Sequence, residues 1–245
     1  MPVLTSDAVV LRTWPVHEAD LIVSLFTRDY GKLRGVAKSA LKSRKRFGGA
    51  LEPMTVARAW FAEKPRQELV RLDQLEIATS PLSAPVDATR LAVLSFYAEV
   101  LDETLPDHDP HETIFRLVLS VLEQTTTAQP WMPLTYFSLW MTRLTGLLPD
   151  LAHCTVCHEA LRAAEVSFNS HADGLFCAVH RHPSDTTLAP DSWDMAQRMM
   201  RAPVSSFTAE EWPRRRAQDL RRLTQHVIER HLEKKLRSAE MLGRL

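Results

Sequence analysis

Cys154, Cys157, Cys177 and His180 are the residues whose types and spacing point most directly to chemistry. They form two knuckles, Cys154-Thr-Val-Cys157 and Cys177-Ala-Val-His180, with 19 residues between them. Three thiolates and one imidazole make a closed tetrahedral set for Zn²⁺. A site with four protein ligands has no open position for a catalytic water, so it offers structure and not hydrolysis. Two other readings stay open. One is a thioredoxin-like redox pair, which belongs at a strand–helix junction in a βαβ setting absent here. The other is three unrelated cysteines. His153, His158, His171 and His182 lie close by, and spacing alone leaves the fourth ligand undecided.

A second constellation is the run Gly31 to Arg46, with Lys32, Arg34, Lys38, Lys42, Arg44, Lys45 and Arg46 and no acidic residue. Seven positive charges in 16 residues repel one another unless an anion neutralises them. Lys and Arg at this density suit phosphates, which they contact by displacing counterions, without regard to base sequence. A solvated loop is the plainer reading. Phe47, Trp60 and Phe61 are candidate stacking platforms beside the run, although core packing competes for at least one of the last two. A third group lies near the C-terminus, Arg214, Arg215, Arg216, Arg221 and Arg222, followed by Arg230, Lys234, Lys235 and Arg237. It reads either as a second phosphate-contacting patch or as the solvent face of an amphipathic helix.

The elements that must position these residues change character along the chain. Val3–Thr13, Leu21–Thr27, Lys32–Val36, Met54–Phe61 and Leu69–Ala78 are β-rich runs separated by turn residues such as Asp29-Tyr30-Gly31. Five short strands in 80 residues suggest a small barrel or sandwich. After the Pro81–Pro85 linker the apolar period lengthens to 3.6, through Leu91–Leu105, Ile114–Leu122 and Leu134–Leu148. Further helices are expected over Asp191–Arg201, with Asp191 as N-cap, and over Glu211–Arg237 as one long charged helix. Between them, Val166–Asn169 and Gly174–Phe176 read as a hairpin bringing the second knuckle to the first.

The formal net charge is zero, with 30 basic and 30 acidic residues, but the balance is segregated. Residues 1–80 hold 13 basic and 9 acidic side chains, residues 81–210 hold 7 and 16, and residues 211–245 hold 10 and 5. The head is therefore +4, the middle −9 and the tail +5, and asymmetry of this kind hints at an interaction surface. No apolar run approaches a membrane span, and the first residues do not have the form of a secretory signal. Three clustered cysteines do not suggest an extracellular disulfide framework, so a reducing, cytoplasmic setting is expected. No P-loop, dinucleotide-binding, zincin or nucleophile-elbow motif occurs, and only seven glycines are present. His17-Glu18-Ala-Asp20 is expected to be a surface turn and Asp107–His111 an interhelical loop. No catalytic set emerges, and the chain reads as a non-enzyme.

Taken together, the segments Asp7-Ala-Val-Val-Leu-Arg12, Glu18-Ala-Asp20, Leu25-Phe-Thr-Arg-Asp-Tyr-Gly-Lys32, the basic run continuing to Leu51-Glu52-Pro53, and Gly146-Leu-Leu-Pro-Asp-Leu151 ahead of the first knuckle resemble the RecO family of bacterial recombination mediators. The resemblance implies an α+β multidomain protein. A five-stranded OB-fold barrel over residues 1–80 would bind nucleic acid. An α-helical domain over 81–245 would carry a zinc-knuckle insert at about 150–182. It implies binding of single- and double-stranded DNA and annealing of complementary strands. It also implies action with RecR to load RecA onto strands covered by single-strand-binding protein, without catalysis and near the nucleoid. The chain departs from the commoner four-cysteine pattern by having His180 last and His158 where glycine often stands. The contrasting reading is a zinc-ribbon adaptor that binds proteins and not DNA.

Overall fold

The computed structural model describes residues 2–63, 67–83, 86–127, 129–162, 166–169 and 174–245. Pro85 and His171 lie outside the described residues. The chain divides into two compact units, Met1–Leu119 with Leu236–Leu245, and Ser120–Lys235.

In the first unit, β1 (Leu4–Pro15), β2 (Leu21–Thr27), β3 (Gly31–Ala37), β4 (Val56–Ala62) and β5 (Val70–Thr79) close into a barrel in the order β1-β2-β3-β5-β4. The β3–β5 pair is parallel and the other pairs are antiparallel, which makes the barrel OB-like. Side chains alternate across a strand, so Val23 and Leu25, Leu33 and Ala37, Ala57, Ala59 and Phe61 all face the lumen and form one buried cluster. Mixing alanines with large residues fills a narrow lumen without overpacking. A short helix, α1 (Arg44–Phe47), follows β3 and drives Phe47 into the same cluster, where it is 1% exposed.

Part of the barrel's outer face is buried as well. Val9 and Phe26 are paired across β1 and β2 and are fully buried. They lie where α2 (Ala88–Thr104) packs on both strands and where Phe115 of α3 (Glu112–Thr127) meets Phe26 at 5.5 Å between ring centroids. The Ser24 hydroxyl donates to Asp102 Oδ1 of α2 at 2.6 Å, which fastens helix to strand. Gly31 has φ +69°, and a Cβ there would stand 2.4 Å from the Asp109 backbone, so only glycine admits the segment after α2 this close to β3.

The second unit holds α4 (Trp131–Leu144), α5 (Pro190–Met199) and α6 (Gln218–His231), with α6 packed on both α4 and α5. Between α4 and α5 lie the two knuckles and a small sheet, β6 (Ser167–Phe168) with β7 (Thr186–Thr187). Ser167 and Phe176 exchange backbone hydrogen bonds of 3.0 and 2.9 Å, which is the expected hairpin, and β7 is an addition to it.

Two sequence expectations are corrected. Glu211–Arg237 is not one helix, because Ala217 (φ 52°) and Glu233 (φ 54°) are left-handed and leave only Gln218–His231 in α6. A separate helix, α7 (Arg237–Arg244), follows in the first unit against α2, its first N–H groups accepted by Glu99 at 3.0 and 2.8 Å. Nor does Asp191 cap α5. That helix starts one residue earlier, and Asp219 of α6 accepts from the Ala189 N–H at 2.6 Å and the Ser192 hydroxyl at 2.5 Å. The division at residue 80 follows chain composition, whereas packing groups α2, the start of α3 and α7 with the barrel. Among the described residues, no helix is long and apolar enough to cross a membrane.

Candidate nucleic-acid interface and metal centre

Each knuckle is a tight turn that points its donors inward. The His158 N–H donates to the Cys154 carbonyl at 2.9 Å, and the His180 N–H donates to that of Cys177 at 3.1 Å. The two turns are tied by the Thr155 N–H donating to the Leu175 carbonyl at 2.9 Å. Gly174 (φ +140°) makes this approach possible, since a Cβ there would lie 1.7 Å from Thr155 Oγ1. The result gathers Cys154, Cys157, Cys177 and His180, with one ligand atom from each all within 4.8 Å of one another. Cys177 Sγ is 3.3 Å from His180 Nδ1, Cys154 Sγ is 3.7 Å from the same nitrogen, and Cys157 and Cys177 Sγ are 3.9 Å apart.

These four residues could hold a metal ion. The other described histidines are engaged elsewhere or outside the group. His153 Nδ1 meets Asp150 at 2.8 Å, His182 Nδ1 meets Ser184 at 2.8 Å, and His158 takes the left-handed turn position (φ 59°) that suits glycine. Cys154 and Cys177 are shifted toward thiolate, whereas Cys157 is raised, because the lowering by the Glu159 N–H is outweighed by burial and the neighbouring Cys154 and Cys177 sulfurs. Burial opposes the Cys154 anion, but the N–H groups of Cys157, Cys177 and Val156 outweigh it and bring this thiol down to about 6. The His180 N–H pulls the Cys177 thiol down too, and the Cys177 and Cys154 sulfurs raise the His180 imidazole.

The basic run is folded. Its turn is anchored by the Ser39 N–H donating to Asp20 Oδ1 at 2.7 Å and the Leu41 N–H donating to the Ala19 carbonyl at 3.2 Å. Arg46 closes it by donating to the Lys38 carbonyl at 2.7 Å, with its guanidinium over the Phe47 ring at 5.1 Å. Arg34, Lys38, Lys42, Arg44 and Lys45 are left exposed along this frame. Lys32 is different. It is 5% exposed, donates to the Asp102 carbonyl at 2.6 Å and pairs with Asp107 at 3.2 Å, so it ties β3 to the end of α2 and offers nothing to an external phosphate. Of the three aromatic candidates, Phe47 and Phe61 are barrel core and only Trp60 is partly accessible.

The C-terminal arginines also divide. Arg221 is mostly buried, donates to the Thr135 hydroxyl and the Arg216 carbonyl at 2.8 Å each and to the Arg214 carbonyl, and stacks on Trp131 at 5.2 Å. Desolvation lowers its guanidinium to about 10, so it stays cationic at neutral pH. Arg216 pairs with Glu210 and covers Trp212 at 4.5 Å. Arg214 lies over Trp131 at 5.7 Å, while Arg215 and Arg222 are exposed. Lys32 and Arg221, expected to meet phosphate, are therefore structural. Asp20 and Phe47, which set the loop's shape, were not distinguished as such by sequence. A carboxylate in a tight turn and a lone aromatic closing a charge run are the signals that mark them.

Comparison with known proteins matches residues 1–81 to the family model for the N terminus of recombination protein O, and residues 85–240 to that for its C terminus. The DNA repair protein RecO of Koribacter versatilis (strain Ellin345) is 51% identical over 240 residues, covering 98% of each chain. The chain belongs to the RecO family. More distant RecO relatives align over nearly the whole length. That of Anaeromyxobacter sp. (strain K) is 29% identical over 97% of this chain and 94% of its own, and that of Desulforamulus reducens is 27% identical over 100% and 96%. Within this RecO-family chain the N-terminal match spans the whole barrel and its basic loop, and the C-terminal match contains the knuckles.

Proposed function

We propose that this RecO-family chain is a non-catalytic recombination mediator in DNA repair that binds single- and double-stranded DNA and anneals complementary strands. With RecR it would load RecA onto strands covered by single-strand-binding protein, in the cytoplasm and close to the nucleoid. The observation that carries this reading is the basic loop, a fixed frame that displays Arg34, Lys38, Lys42, Arg44 and Lys45 to solvent. A preformed cationic surface loses less conformational entropy on meeting phosphates than a floppy one. Arg215 and Arg222, both exposed, supply a second, smaller patch, and two patches on one chain provide for two strands.

The metal proposed for Cys154, Cys157, Cys177 and His180 is Zn²⁺ in a structural role. A tetrahedron with Zn–S about 2.3 Å and Zn–N about 2.0 Å has S···S edges of about 3.8 Å and S···N edges of about 3.5 Å. The separations of 3.9, 3.7 and 3.3 Å fit that shape. When bound, zinc would neutralise the thiolates and lock the knuckles together. It would take no part in DNA chemistry.

The test is a titration of a labelled single-stranded oligonucleotide with the protein and a variant in which Lys38, Lys42, Arg44 and Lys45 are replaced by Glu. Weakening across all base sequences, with a shallower salt dependence, is expected; unchanged affinity removes the loop from the interface. One observation favours the adaptor reading. Val156 and Val179 occupy matching positions in the two knuckles and are 54% and 84% exposed, as a protein-contacting tip would be. An adaptor of that kind would show no salt-dependent binding to DNA.

A further inference from the structure

The register of β1 changes in mid-strand, and this decides which aromatic side chain the barrel shows to the outside. Ala8 and Val10 face the lumen. Continued alternation would send Arg12 and Trp14 inward as well. A bulge between Val10 and Arg12 reverses the parity, so that Arg12 pairs with Ser24 and Trp14 with Ile22, both on the outer face of β2. Ile22 pairs in turn with Val36, and Val36 with Arg71. Trp14, Ile22 and Val36 therefore form one outward row across β1, β2 and β3, at the opposite end of the face from the Val9–Phe26 row that the helices bury. All three are half-buried.

Cations edge this apolar row. The Arg12 guanidinium lies over the Trp14 indole at 5.0 Å and braces the ring. Arg34 and Lys38, both exposed, stand two residues to either side of Val36. The row opens into a recess of about 480 Å³ lined by Val36, Lys38 and residues 67–71. Trp60 lacks this setting, since Arg58, its neighbour on the same face, is paired with Asp7 at 3.0 Å.

We infer that the Trp14–Ile22–Val36 row is a base-stacking platform, with Trp14 as its principal contact, which makes the barrel prefer single strands to duplex. The inference rests on the proposed DNA binding and adds a mode to it. Bases in a duplex already have their faces covered by neighbours, whereas an unpaired base offers a face to an indole, and every base does so regardless of identity. Arg34 and Lys38 then hold the flanking phosphates. Stacking depends little on salt, so this part of the affinity persists where the electrostatic part is screened.

The experiment compares the full-length protein with Trp14→Ala and Trp14→Phe on three probes. These are an oligo(dT) of about 16 nucleotides, the upper end of what one OB fold covers, an abasic oligomer of equal length and charge, and a duplex. Trp14→Ala is expected to weaken oligo(dT) binding by about 5- to 150-fold. It should leave the abasic and duplex affinities unchanged, and Trp14→Phe should keep most of the wild-type preference. Because the readout is a ratio between probes on one protein sample, partial unfolding of a variant cancels. An unchanged oligo(dT) affinity, or equal loss on all three probes, overturns the platform while leaving DNA binding in place. Absence of wild-type binding to any probe overturns both.

Discussion

Lys32 and Lys42 sit ten residues apart in one basic run, and the fold gives them opposite roles. Lys32 donates to the carbonyl of Asp102, 70 residues away, and Arg221 donates to Thr135, 86 residues away. No local pattern announces such partners, which is why these two cations could not be told from their neighbours by sequence. The Cys/His set was legible because its spacing is local and its chemistry narrow. Replacing Lys32 by Met removes the donor and leaves a buried carbonyl unsatisfied, a loss of about 1–3 kcal/mol in a denaturant titration. Its DNA affinity and salt slope should match the wild type; a weakened slope would return Lys32 to the interface. Glu210 offers a pH test. Burial pushes its carboxyl up, but Arg198 and Arg216 outweigh this and hold it below the usual range. A depressed carboxylate stabilises above its unfolded value, about 4.3, and the effect is lost as pH falls through the lower folded value. Glu210→Gln should therefore be less stable than wild type at neutral pH, with the gap narrowing below about pH 4.3. A gap that widens in acid contradicts the assignment.

Among the elements, the five strands were legible as short β-rich runs bounded by turn residues, although burial does not alternate throughout them, since residues 8–11 of β1 and 23–27 of β2 are buried on both faces. The short helix α1 was not, since four residues carry no period, and its purpose shows only in Phe47 entering the lumen. The breaks at the two ends of α6 were hidden for a different reason. Ala217 and Glu233 are ordinary helix formers held left-handed by their surroundings, and propensity is a weak prior against tertiary packing. The seating of Phe47 in the barrel makes a prediction at this scale. Phe47→Ala removes no charge, yet it should cost about 3–5 kcal/mol of stability through the cavity it leaves. It should also weaken oligonucleotide binding by freeing the cationic frame. Loss of stability with unchanged binding would show that the loop needs no anchoring.

For the whole molecule, a net charge of zero conceals an uneven distribution, +4 over residues 1–80, −9 over 81–210 and +5 over 211–245. Helices α2 and α7 pack in the barrel's unit although they are far apart in sequence, a grouping that composition could not reveal. The central claim is that a chain of zero net charge binds DNA through a few displayed cations. The most direct test is the affinity for a single-stranded oligonucleotide measured across salt concentration. With Arg34, Lys38, Lys42, Arg44 and Lys45 each meeting a phosphate, log K should fall against log[salt] with a slope of about −3 to −4, at roughly −0.7 per phosphate. A flat response, or no binding at low salt, would contradict the account.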